Sequence, residues 1–203
     1  MSTENVFFVL AGYPVRWQEL VLGLVLLLAL LVAGFRYWRW YSSTPQRIRR
    51  ALKEISHDMM EDFFLADGLG GHIHIDVLLL TNRGLLVLDL KDVEGAVFGA
   101  DHMDEWVLIA GNRRHGFPNP LYALHDRIAT VRMHAKDTHA EGYVVFTESA
   151  RFEKGVPSET VVLDHLVETV GPAGDDYPQA FSDSWRALRN LAEQAQEETR
   201  PPA

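Results

Sequence analysis

The order of elements along this 203-residue chain predicts an α/β domain of the α+β kind, a mixed sheet flanked by helices, preceded by one transmembrane helix. Three observations lead there. Sixteen consecutive residues near the N-terminus, LVLGLVLLLALLVAGF at 20–35, carry no charge. Strand-like runs are grouped ahead of a helix and followed by further strands and a last amphipathic helix. A hydrophobic content of 47% is ordinary for a chain that builds one packed core.

The N-terminal run comes first. At 1.5 Å per residue it spans about 24 Å, slightly less than a hydrocarbon core. Trp17 on one side and Tyr37, Trp38, Trp40 and Tyr41 on the other extend it with residues that favour the headgroup level. The segment is therefore read as a span over residues 17–41 in contact with the lipid bilayer, after a short N-terminal segment at 1–16. A cleaved signal peptide needs a basic start, whereas Glu4, Arg16 and Glu19 precede the run, and Arg36 and aromatics occupy the place of a small-residue cleavage site. Arg36, Arg39, Arg47, Arg49, Arg50 and Lys53 follow the span, and only Arg16 precedes it. The positive-inside rule then puts the domain at the cytoplasmic face of the inner membrane and the N-terminus outside.

A domain over residues 44–197 follows. Thr44-Pro45 is a helix start, and Ile48, Leu52, Ile55 and Met59 form a stripe that closes near Phe63-Phe64. Gly68, Gly70 and Gly71 break it. Two strand-like runs, HIHIDVLLLT from His72 and LLVLDLKDV from Leu85, are joined by Asn82-Arg83-Gly84. Shorter strands are expected at 95–100 and 105–110, a helix at 121–135, strands at 143–146 and 160–163, and a helix at 179–197 with Phe181, Trp185, Leu188 and Leu191 on one face. Arg113-Arg114-His115 reads as a solvated loop tip or a contact for a nucleic-acid backbone, and Asn119-Pro120 as the cap of the next helix. Trp106 reads as core or lid. Residues 198–203 form a disordered tail.

Composition narrows the chemistry. With no cysteine, disulfides, thiolate metal sites and thiol nucleophiles are excluded, and a metal must be held by oxygen or imidazole, which favours Mg²⁺ or Mn²⁺. A net charge of −9 argues against tight nonspecific binding of nucleic acid by the chain as a whole. His102, His125, His134 and His139 show no metal-ligand spacing, and Asp104 and Glu105 read as surface charges.

Charges inside apolar strands are costly unless paired or coordinated, which singles out Asp76 in the first run and Asp89 and Lys91 in the second. Asp89 and Lys91 project to one face. A turn centred between Asn82 and Arg83 makes paired positions sum to 165, setting Asp76 opposite Asp89 and His74 opposite Lys91. Facing carboxylates repel, and a divalent cation reverses the sign of that interaction. A three-residue loop with Gly84 in a left-handed bulge shifts the sum to 166 and separates the aspartates. The turn itself leaves both registers open; the chemistry favours the first. Asp89 and Lys91 also admit a plain salt bridge on a solvated strand.

Asp76, a short hairpin and Asp89-Leu90-Lys91 resemble the D…(D/E)-x-K core of the PD-(D/E)xK nuclease superfamily. The wider set of Gly71, Ile75-Asp76, Gly84, Asp89-x-Lys91, Gly95, Gly99, Trp106 and Asn119-Pro120 is similar to the nuclease-related domain (NERD) over residues 48–146. The resemblance implies a restriction-endonuclease-like fold and metal-assisted hydrolysis of phosphodiesters in DNA or RNA. By that resemblance Asp76, Asp89 and the Leu90 carbonyl hold Mg²⁺ or Mn²⁺, Lys91 orients water or stabilises developing charge, and His74 assists or contacts a phosphate. The family usually has glutamate at the position of Asp89 and a glutamine near Asn-Pro where this chain has Ala123. The Gly-Glu start of its first helix is also absent here, where Glu54 and Asp58 are the nearby acids. The rival expectation is a catalytically inactive nuclease-fold module that binds or scaffolds at the membrane.

Overall fold

The structure, a computed structural model, describes residues 6–10, 13–16, 21–22, 25–31, 34, 44–135 and 138–199. The chain forms two units, Met1–Arg47 and Ile48–Ala203. In the first, β1 (Val6–Leu10) pairs antiparallel with β2 (Tyr13–Arg16), where the sequence reading expected only a short segment. Residues 21–22, 25–31 and 34 are helical. The rest of the 17–41 segment lies outside the described residues. Among the described residues no helix is long and apolar enough to cross a membrane.

The second unit begins within α1 (Thr44–Ile55). Its stripe of Ile48, Leu52 and Ile55 packs on Val77, Leu79, Leu86 and Leu88. The helix stops there, with Ser56 Oγ donating to the Leu52 carbonyl at 2.6 Å and His57 N to the Leu80 carbonyl. The stripe expected to continue the helix to near Phe63-Phe64 gives way to strand β3 (Asp58–Ala66) instead. Met59 fits the helical stripe by spacing, but Met59 and Met60 pack on opposite sides, an alternation of period two. Pairing along β4 overrides the local signal.

β3, β4 (His72–Thr81) and β5 (Gly84–Lys91) are successive antiparallel strands, and β9 (Ala140–Phe146) and β11 (Thr160–Val162) extend β5 in parallel, giving a mixed sheet of order β11-β9-β5-β4-β3. Both faces are covered, which is why β4 and β5 read as almost unbroken apolar runs. On one side lie Leu121, Leu124, Ile128 and Val131 of α2 (Pro120–His134). The last helix, α4 (Ser182–Thr199), adds Trp185 and Leu188 to that side. Opposite are α1 and α3 (Leu163–Val170), the latter unforeseen although Leu163, Leu166, Val167 and Val170 have helical spacing. A 3₁₀ turn, Gln179–Phe181, precedes α4, which runs through Thr199 and so into the expected tail.

The smaller sheet has the order β10-β6-β7-β8, comprising β6 (Gly95–Phe98), β7 (Glu105–Ala110), β8 (Arg113–Pro118) and β10 (Ala150–Arg151). Arg113-Arg114-His115, read as a loop tip, instead belong to the edge strand β8, which is paired throughout with β7. Trp106 of β7, fully buried, stacks at 6.3 Å on Phe146 of β9 and so joins the two sheets.

The β4–β5 turn sets the site. Thr81 pairs with Gly84 and Val77 with Leu88, the register that sums to 165. Gly84 has φ +128°, and a Cβ there would stand 2.3 Å from the His139 carbonyl oxygen, which accepts the Leu85 N–H. Gly84→Ala is expected to cost at least about 1–3 kcal/mol from backbone strain, with the clash added. Urea unfolding of the full chain should show a lowered midpoint at unchanged slope.

Candidate active site

The hairpin delivers Asp76 and Asp89 to one face, but the backbone ladder between β4 and β5 stops at Val77 and Leu88. Beyond it the Leu90 N–H donates to Asp76 Oδ2 at 3.0 Å, so a carboxylate takes the place of a strand carbonyl. The β3–β4 pairing is interrupted at the same level, between Glu61↔Val77 and Phe63↔Ile75. Ile75 and Leu78 share one core cluster although three residues apart, as do Met60 and Phe63. Both strands therefore change face at Asp62 and Asp76. Asp62 carries the turn with φ +53°, a left-handed conformation seldom adopted by residues other than glycine.

Asp89 is buried, its side chain 1% exposed. Its Oδ1 accepts from Lys91 Nζ at 2.7 Å and its Oδ2 from Arg127 Nη1 at 3.3 Å. Burial pushes its pKa above the ordinary 3.8; Lys91 and Arg127 pull it back, and the Asp76 carboxylate within hydrogen-bond reach raises it further. Asp76 Oδ1 lies 3.2 Å from His74 Nδ1, and His74 Nε2 lies 2.7 Å from Asp62 Oδ1. Expected opposite Lys91, His74 instead pairs with Phe64 of β3, its ring 5.1 Å from the Phe64 ring. The kink turns it there. Glu54 and Asp58 stand apart: Asp58 Oδ2 accepts from Trp185 Nε1 at 2.9 Å and Arg189 Nη2 at 2.7 Å, while Glu54 is exposed on α1.

Arg127 was not anticipated. It donates through Nε to the His74 carbonyl at 2.8 Å while Nη1 meets Asp89, so it ties α2 to both site strands. The available signal was its position one helical turn after Ala123 on the same face; both line one cavity. Asn119 aims this helix. Its Oδ1 accepts the Leu121 N–H at 3.0 Å, and its Nδ2 donates to the carbonyls of Asp101 at 3.1 Å and Met103 at 2.8 Å. The cavity, about 490 Å³, opens beside Asp89, Lys91 and Arg127 and has an apolar wall that includes Phe117 and Phe146.

The donor set suits a hard divalent cation. Asp76 and Asp89 offer carboxylate oxygens within hydrogen-bond reach of each other, and Asp89 is buried. Among the described residues no group of three or more histidines and carboxylates could hold a metal. Mg²⁺ is bound by one or two carboxylates completed by water and substrate phosphate, so a two-carboxylate set fits it better than it fits an ion that needs a protein cage.

The family model of the nuclease-related domain, NERD, matches residues 42–147, just over half of the chain. That match spans the hairpin, the smaller sheet through β8, and α2. No curated protein and no solved structure matches the chain.

Because the pKa of Asp89 is raised on folding, the folded chain holds this proton over a range where the unfolded chain, with its carboxyl near 3.8, has released it. The stability this contributes is complete below the unfolded value and is lost as pH rises through the folded one. Asp89→Asn cannot ionise, so its stability relative to the native chain should improve with pH across that window. Urea midpoints of both chains at stepped pH check this, and a constant difference would sink it.

Proposed function

The chain belongs to the nuclease-related domain family, and from that premise we propose that it is a metal-dependent phosphodiesterase acting on DNA or RNA, tethered by its N-terminal helix at the cytoplasmic face of the membrane. The observation that carries the reading is the meeting of Asp76, Asp89 and Lys91 where both strands break their pairing, with Asp89 and Lys91 lining one cavity. Asp76, Asp89 and the Leu90 carbonyl would hold Mg²⁺ or Mn²⁺, which when bound would acidify a water and offset charge on the phosphate.

The chain's own residues do the rest. Lys91, one-third exposed and 2.7 Å from Asp89, is placed to meet an incoming phosphate beside that carboxylate, where it orients the water or stabilises charge as it develops. Arg127 fixes the Asp89 carboxylate and, through the His74 carbonyl, the strand beside it. His74 has a carboxylate at each ring nitrogen and so aligns Asp76; a contact with phosphate requires its bond to Asp62 to open.

One observation favours a second reading. Both oxygens of Asp89 already face cations of the chain itself, as they would in a nuclease-fold module that binds a partner without cutting it. Calorimetric titration of the full chain in detergent with Mn²⁺ and Mg²⁺ separates the two. Saturable binding that disappears in Asp89→Asn is expected, as is a loss of about 10²–10³ in kcat for Lys91→Ala on DNA or RNA. A folded chain that takes up no metal, alone or with nucleic acid present, decides for the inactive module.

The tether is supported by the exposure of an apolar helix: Val21, Leu22, Val25, Leu26, Leu27, Leu28, Leu30 and Leu31 are 48–69% exposed. Such a surface is unstable in water. The basic residues after it suit anionic headgroups on the cytoplasmic side. Full-length chain should stay with the membrane pellet through alkaline carbonate washing; release to the supernatant overturns the tether.

A further inference from the structure

Resting on the nuclease reading, we infer that the cavity beside Lys91 is a pocket for one unpaired nucleobase, so that the substrate is single-stranded nucleic acid or a frayed end and an intact duplex is not. Capture of a phosphate or a cation needs only the polar mouth. Behind that mouth stand Val93, Leu108 and Phe117, backed by the fully buried Phe146, a wall with nothing to offer an ion and a good surface for a planar ring. At about 490 Å³ the cavity has the size of a small-molecule site and accommodates a nucleotide.

Strand β8 supplies the second observation. Alternation puts Arg113, His115 and Phe117 on one face, and His115 and Phe117 line the cavity. That face is a track of cation, imidazole and aromatic ring running from the exposed tip of the hairpin toward Lys91. The acid of the β7–β8 hairpin, Glu105, has its carboxylate against Gly116, whose position belongs to the opposite face. β8 is also the last strand of its sheet, so a chain can approach along it. Backbone-tracking cations beside a stacking ring are what binding of single strands uses.

Phe117 is positioned in advance. Its ring meets Trp106 edge-on at 6.2 Å and 67°, and Trp106 is fully buried with its Nε1 held by the Ala100 carbonyl at 3.1 Å. Gly99 makes room for that indole, since a Cβ there would lie 2.2 Å from it. A base stacked within a duplex presents no free face to such a ring, and extracting it costs a few kcal/mol. An unpaired base enters without that cost. The phosphate beside it then falls near Lys91 and the carboxylate pair.

The test uses the full chain in detergent, in EDTA so that nothing is cut, at one fixed salt concentration because backbone contacts are salt-dependent. Anisotropy compares three labelled probes: a short single strand, its blunt duplex, and a strand of equal length without bases. The single strand should bind tightest. Loss of the bases and Phe117→Ala should each weaken it by about tenfold or more, and Phe117→Trp should restore it. Equal binding of duplex and single strand, or a folded Phe117→Ala chain that binds the single strand normally, overturns the pocket. Cleavage assayed in Mg²⁺ keeps the two readings apart. A duplex cut equally by the native and Phe117→Ala chains retains the nuclease and removes the pocket. Base-dependent binding without cleavage retains the pocket and removes the nuclease, and no binding to any probe overturns both.

Discussion

The arrangement depends on one buried carboxylate. Asp89 sits in the central strand of a sheet covered on both faces, where an ion costs several kcal/mol unless it is paired. Its own strand provides Lys91 two residues on, at the spacing that keeps both on one face. The second cation comes from α2, which must lie where Arg127 can reach. Asn119 arranges this by capping the helix while its amide anchors the loop before β7. A conserved core volume could be filled by many apolar sequences, whereas the pairing of this one charge admits only one placement of helix on sheet.

The same constraint explains the irregular backbone nearby. Regular pairing through Asp62 and Asp76 would continue the alternation of β3 and β4 and carry Ile75 and Phe63 away from the cluster they occupy. Instead both strands change face at one level without a change of register, at the expense of a left-handed aspartate on the surface. Strain of this kind persists where surrounding contacts over-determine it. Here the bond from His74 to Asp62, the Leu90 N–H on Asp76 and the guanidinium on the His74 carbonyl hold the kink from three sides.

How much of this the sequence discloses depends on the range of the interaction. The turn left two β4–β5 registers open, and the cost of charges in apolar runs favoured the observed one; that register and the proximity of Asp76, Asp89 and Lys91 were legible because they lie within one hairpin. The mixed sheet with flanking helices was legible from element order. β3 was not, since Met59 and Phe63 satisfy a helical spacing by coincidence and only pairing with β4 decides otherwise. Gly111-Asn112 is a recognised two-residue hairpin turn and would have revealed β8, had the basic residues after it not suggested a loop. Arg127 left only its place one turn after Ala123 as a trace, because its partners lie 38 and 53 residues away. The membrane-side readings fall largely on positions 17–20, 23–24 and 32–43 outside those described, apart from 34.

The bond between Trp185 and Asp58 joins residues 127 positions apart, and α4 completes the apolar layer over β3. Its consequence appears during synthesis. β3, β4 and β5 leave the ribosome first, with apolar surface on both sides, yet β9 and α4 follow only after long intervals of chain. Contacts of such separation form slowly, and exposed strand edges meanwhile invite mispairing. Emergence of α4 from the exit tunnel is thus what lets the nascent sheet be covered over β3, and a chaperone that shields the early hairpin would act in the interval before it.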